Sequence, residues 1–264
     1  MTEVESEDGT LIAYAQIGYG PVPLVMVHGV LDTGRSWVPV AEALSEHCSC
    51  FVMDRRGRGG SEVGNEYRFE SEIEDIEAVL RVAGAGAALL GHSSGGIYAL
   101  EVARRTPLAG LIVYEPPLHY RGFDAVVDRI RALIVEGRLD DAAATFFTDE
   151  AGMSEREIAA FRQAPFWPKI AQLAPTLVRE WDAIFAVGPT VARYRDVSVP
   201  TLLLTGSENV RHPSFATADL DRCLADARIA SFDGQGHTAN LEVPELVADR
   251  IARFLVDVAA SRIR

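Results

Sequence analysis

Residues 91–96 read Gly91-His92-Ser93-Ser94-Gly95-Gly96, and this stretch decides how the rest of the chain is read. A short apolar run, 87–90, precedes it, and a helical pattern, 96–104, follows. That order is strand, sharp turn, helix. A serine at the tip of such a turn has its hydroxyl pushed clear of the backbone. Small residues two positions to either side, Gly91 and Gly95, let the turn close and let the helix pack on the strand. The helix that starts just after Ser93 aims unpaired N–H groups at the same place, where they favour developing negative charge. Ser93 is therefore the candidate nucleophile.

The flanking sequence carries three further motifs. Upstream, Leu24-Val25-Met26-Val27 reads as a buried strand and runs into His28-Gly29. Next, Cys50-Phe51-Val52-Met53 is followed by Asp54-Arg55-Arg56-Gly57-Arg58-Gly59-Gly60-Ser61. Near the end, the strand pattern 228–232 leads through Asp233-Gly234-Gln235-Gly236 to His237, and an amphipathic helix follows over 244–258. With the serine turn, these four motifs in this order resemble the α/β-hydrolase superfamily over nearly the whole chain. The loop 54–61 matches every fixed position of that family's D-x-R-G-x-G-x-S. The resemblance implies a mostly parallel central sheet flanked by helices, with His237 as the catalytic base and no cofactor. It also implies an oxyanion hole built from the backbone N–H groups of Val30 and Ser94, next to Gly29 in the substrate site.

Composition fits and sets bounds. A chain of 264 residues with 48% hydrophobic content can bury one core and carry an insertion. The net charge of -13 argues against nucleic acid or an anionic membrane as partner and leaves a small-molecule substrate. The three cysteines form no disulfide framework or zinc spacing, and no pair of histidines has metal-ligand spacing. The first 25 residues lack the layout of a signal peptide, and no apolar run approaches the roughly 20 residues of a membrane helix. A cytoplasmic location is the expectation. Oligomeric state is not readable from this sequence.

Strands and helices alternate along the core: 10–17 as an edge strand at the end of an N-terminal hairpin, then 24–28, a helix 37–45, 50–53, a helix 71–82, 87–90, 108–114 and 201–205. Such alternation argues a parallel sheet with helices on both faces. It breaks between Pro117 and Pro189, where helices at 123–135, 139–147, one opening at Ser154 with Glu157 as a capping box, and 174–187 fill the gap. Residues 118–188 thus read as an inserted helical cap, and 1–117 with 189–264 as the core. Aromatic residues concentrate in the insertion. Most are expected to hold it together; Trp181 and Phe185, one helical turn apart, are the candidates for a substrate pocket, with His119 at its entrance.

A serine hydroxyl needs a base, and the base needs an anion to fix its tautomer. The family usually carries that anion in Gly-x-x-Asp after the penultimate strand. Here the segment reads Gly206-Ser207-Glu208-Asn209, with an uncharged side chain at the expected place. Two carboxylates could substitute. Glu208 is one residue away. Glu115 ends the preceding strand in Ile112-Val113-Tyr114-Glu115-Pro116-Pro117, where two prolines would stiffen it. The serine turn and Glu115-Pro116-Pro117 are similar to those of zearalenone lactonases, which favours Glu115. The resulting expectation is a serine hydrolase of an apolar or aromatic ester or lactone. Carbon–carbon bond hydrolysis on the same triad, or a non-catalytic small-molecule-binding protein of this fold, are the alternatives.

Overall fold

A computed structural model describes residues 1–119, 122–150, 153–209, 212 and 214–262, apart from the side chains of 157, 261 and 262. The Glu157 half of the Ser154 capping box therefore lies outside the described residues. Eight strands form one sheet: β1 (Thr2–Glu5), β2 (Leu11–Ile17), β3 (Val22–Val27), β4 (Cys48–Met53), β5 (Ala88–His92), β6 (Leu111–Tyr114), β7 (Thr201–Gly206) and β8 (Ala227–Phe232). Their order is β1-β2-β4-β3-β5-β6-β7-β8, parallel from β4 through β8 and antiparallel for β1 and β2. Every residue of β5, β6 and β7 is buried, as strands covered on both faces require. The α/β-hydrolase fold anticipated from the motifs is the observed one.

Helices of the core connect the parallel strands: α1 (Val38–Ala43), α2 (Phe69–Ala83) and α3 (Ser94–Ala103). α2 turns Ile73, Ile76, Val79 and Leu80 inward at helical spacing and stops at Gly84. The insertion contains α4 (Phe123–Val135), α5 (Leu139–Asp149), α6 (Glu155–Phe161), α7 (Trp167–Gln172) and α8 (Ala174–Val187). The core then resumes with α9 (Thr217–Cys223), α10 (Ala239–Glu242) and α11 (Pro244–Arg262). The contacts divide the chain into two compact units. One comprises Met1–Gly29, Thr33–His119 and Pro189–Arg264; the other comprises Val30–Asp32 and Tyr120–Gly188. Within the second unit Phe123, Phe146 and Trp181 are buried, and Phe147, Phe161 and Trp167 pack ring to ring.

Two details differ from the sequence reading. Residues 10–17 are not at the sheet edge: β2 pairs with β4 on one side and with β1 on the other. β1 and β2 together form the N-terminal hairpin expected over 2–17, and its four-residue first strand takes the edge. The short helices α7, α9 and α10 were also not anticipated; each spans two turns or fewer and carries too few residues for a period. Among the described residues no helix is long and apolar enough to cross a membrane.

The strand order positions the site. From β3 the chain steps to β4 on one side, while β5 lies on the other. The crevice outside the carboxyl ends of β3 and β5 is thus the topological switch point of the sheet, where open parallel sheets bind ligands. Gly29 follows β3 and Ser93 follows β5.

Candidate active site

Ser93 occupies the turn between β5 and α3 with φ 55 and ψ -127, a strained conformation for a residue with a side chain. Its N–H donates to Tyr114 O at 2.9 Å, and its own carbonyl accepts Gly96 N–H at 2.8 Å. Gly95 explains how the turn fits: a Cβ there would lie 2.5 Å from His28 O. Only a bare backbone lets α3 approach β3 so closely. Gly29 is equally confined, because its Cβ would stand 2.8 Å from the Cβ of Ser93 and 3.4 Å from its hydroxyl.

The turn after β3 is held from below. His28 Nδ1 donates to Gly29 O at 2.8 Å, and its Nε2 accepts Arg55 N–H at 3.1 Å. Burial, with Arg55 and Arg58 nearby, keeps His28 neutral by pushing its pKa well below the usual value. The Arg55 guanidinium reaches Ser94 Oγ at 3.1 Å and forks onto Glu72 at 2.9 Å. Arg58 also bonds Glu72, at 3.0 Å, while Arg56 forks onto Asp75 at 2.7 Å. All five side chains are fully buried. Burial alone would raise the Glu72 carboxyl, but Arg55 and Arg58 hold it at about 2. The loop 54–61 is thus a buried ion network beneath the serine turn.

Glu115 follows β6 with φ 46 and no exposed surface. Its carboxylate accepts four hydrogen bonds. Oε1 takes the Thr205 hydroxyl at 3.0 Å and Gly206 N–H at 2.8 Å. Oε2 takes His237 Nδ1 at 2.6 Å and Asn209 Nδ2 at 3.1 Å. The imidazole therefore carries its proton on Nδ1 and leaves Nε2 as the basic nitrogen. Glu208, the other candidate acid, is exposed, and its backbone N–H donates to Gln235 O at 3.2 Å.

Two aromatic rings enclose the His237 ring. Phe215 stacks on it at 4.7 Å and 18°, and His92 lies against it at 4.4 Å. His92 Nε2 donates to His237 O at 3.1 Å, and burial with His237 beside it keeps His92 neutral. The Tyr114 hydroxyl donates to Gly236 O and accepts Ala239 N–H at 3.3 Å, so it ties the His237 loop on both sides. Tyr114 and Phe215 were not singled out in the sequence. Tyr114 reads there as strand core, and Phe215 has no motif around it.

The structure joins His237 to Glu115, and joins His237 to the residue before Ser93. Among the described residues it contains no hydrogen bond between the Ser93 hydroxyl and His237. Such bonds tighten in many enzymes only when substrate is bound. His119 pairs with Asp219 at 2.7 Å on an exposed part of the core. Trp181 is 2% exposed and packs at 4.5 Å on Phe123, whereas Phe185, 5.5 Å from Trp181, keeps open surface. Val30 groups with the helical unit. Among the described residues no three side chains form a metal-ligand cluster.

The site thus holds a strained serine after β5, a histidine in the loop after β8 and a buried carboxylate on that histidine's Nδ1. The chain belongs to the alpha/beta hydrolase family, whose model matches residues 24–250, and it is a hydrolase of that family. An alpha/beta hydrolase from Sphaerobacter thermophilus DSM 20745 is 33% identical and superposes with a TM-score of 0.85, covering 96% of this chain and 99% of that one. The (E)-2-((N-methylformamido)methylene)succinate hydrolase of Acinetobacter baylyi is 26% identical over 92% of this chain and 93% of that protein. The 2-(acetamidomethylene)succinate hydrolase of Mesorhizobium japonicum is 25% identical over 90% of this chain and 89% of that protein.

Proposed function

We propose that this hydrolase is a cofactor-free serine enzyme that opens an ester or lactone of an apolar or aromatic small molecule with a Ser93–His237–Glu115 triad. The observation that carries the reading is the buried Glu115 carboxylate 2.6 Å from His237 Nδ1. In this mechanism His237 Nε2 takes the Ser93 proton as the serine oxygen attacks the carbonyl. Glu115 stabilises the imidazolium that forms. The N–H groups of Val30 and Ser94 receive the oxyanion, each worth about 3 kcal/mol of barrier. His237 then protonates the leaving alcohol, and water activated by the same histidine releases the acyl group. Phe215, stacked on His237, adds an aromatic face to the cationic state. Phe185, with its open surface, and His119 are assigned to substrate contact, and Trp181 to the support of Phe185. The three free thiols suit a cytoplasmic setting.

A second reading is hydrolysis of a carbon–nitrogen bond on the same triad. It is favoured by the names of the Acinetobacter baylyi and Mesorhizobium japonicum relatives, whose succinates carry an N-methylformamido and an acetamido group. Both readings require an activated Ser93. A fluorophosphonate should label the wild type and fail to label Ser93→Ala, whose melting temperature should be unchanged. Ser93→Ala should also lose all turnover on a panel of p-nitrophenyl esters, aryl lactones and acyl amides. Labelling that persists in Ser93→Ala would place the nucleophile elsewhere, and the best-turned-over member of the panel separates ester from amide.

A further inference from the structure

Asn209 ends the short 3-10 turn Ser207–Asn209 directly after β7 and is only half-buried, yet its amide is spent on the triad. Its Nδ2 donates to Oε2 of Glu115, the same oxygen that accepts His237 Nδ1. The same Nδ2 lies 3.6 Å from where a Cβ on Gly236 would be, so the side chain runs beside the loop that carries His237. Oε1 is already saturated by Thr205 and Gly206. The two donors on Oε2 are thus one imidazole and one neutral amide.

We propose that Asn209 is a positioning residue: it holds Oε2 of Glu115 on the His237 Nδ1 axis and, being uncharged, leaves Glu115 the sole anion on that ring among the described residues. This rests on the Ser93–His237–Glu115 reading. Two consequences follow from the shared oxygen. The amide draws charge from Oε2, so its loss lets Glu115 hold an imidazolium more firmly. A carboxylate at 209 would reach the neighbourhood of His237 Nδ1, and could serve as the anion where Glu115 is made neutral. Among the described residues the other titratable groups against the His237 ring are His92 and Tyr114, with His212 stacked behind Phe215 at 4.4 Å.

The test compares wild type, N209D, E115Q and the E115Q/N209D double variant. The readouts are the pH dependence of fluorophosphonate labelling at Ser93 and the midpoint of His237 by 15N NMR of histidine-labelled protein. E115Q should label about a thousandfold more slowly. The double variant should regain about tenfold over E115Q, and N209D alone should raise the His237 midpoint by about one pH unit, because a second carboxylate then faces the ring. N209A, which keeps the charge balance, should raise the midpoint by less and slow labelling a few-fold. If E115Q is slow but either the recovery or the N209D midpoint shift is missing, Asn209 is a spectator. If E115Q labels at the wild-type rate, the triad reading itself fails.

Discussion

At Gly29 a single methyl group would crowd Ser93, the proposed nucleophile. The Cβ of an alanine there would sit 2.8 Å from the Ser93 Cβ, closer than side-chain carbons pack, against a turn that Gly95 already fixes. Gly29→Ala should therefore lower kcat/KM by about a hundredfold or more, through displacement of the proposed nucleophile. Steady-state kinetics beside a thermal melt would check this, and near-wild-type kcat/KM would mean that the turn has slack. The glycine, the serine and the histidine were legible in the sequence because each is demanded by local backbone geometry or stands in a short motif. Glu115 was favoured as the partner of His237 by resemblance, but its other partners were not legible. Thr205, Gly206 and Asn209 lie 90 to 94 positions further along the chain, and no local pattern links them to it. Asn209 was visible only as a missing charge; its hydrogen bond to Glu115 gives that departure a role.

The loop after β4 and the helix α2 depend on each other through charge. Arg55 and Arg58 share Glu72 with no exposed surface on any of the three side chains. Removing the anion alone strands two buried cations, a change that costs about 3–5 kcal/mol where one buried partner is lost. Glu72→Gln should lower the unfolding free energy by that order in urea denaturation and slow fluorophosphonate labelling, since Arg55 also holds Ser94 Oγ. A loss below about 1 kcal/mol would show that the two arginines find other anions. The sequence displayed the arginines as part of a loop motif, but α2 reads there only as an amphipathic helix. Its periodicity reports Ile73, Ile76 and Val79 and says nothing of the buried carboxylates of Glu72 and Asp75. Long periodic helices, α4 and α8, were readable to the residue, while α7, α9 and α10 were too short to show a period.

Over the whole molecule, buried titrating groups set how stability depends on pH. His28 and His92 are held neutral in the fold, with their pKa values pushed well below 6.5 by burial. Below that pH the unfolded chain takes up two protons that the folded chain refuses, so stability falls as pH falls. Each histidine contributes about 1.4 kcal/mol per pH unit. Asp75 acts in the opposite sense: burial pushes its carboxyl up to about 6 from 3.8, so the folded chain binds its proton first. The net loss is one proton's worth, about 1.4 kcal/mol per pH unit between roughly pH 6 and 4.5. Below 4.5 Glu72, held at about 2, adds to the loss as the unfolded chain protonates it. Urea midpoints from pH 7 to 4 would check this. A flat profile would mean that the buried histidines gain protons without unfolding.

What the sequence by itself determined is local. The strand–turn–helix around Ser93, the His28-Gly29 turn and the alternation of strands with helices each follow from sterics and periodicity within some ten residues, and together they specify an α/β-hydrolase. Between Glu115 and Glu208 the sequence offered only a resemblance that favoured Glu115; the tertiary structure shows which carboxylate meets His237 and what else it binds. Glu115, Asn209 and His237 sit at the ends of β6 and β7 and beyond the end of β8, three strands adjacent in the sheet but distant in the chain. A hydrogen bond of 2.6 Å between residues 122 positions apart exists only because the sheet sets those strand ends side by side.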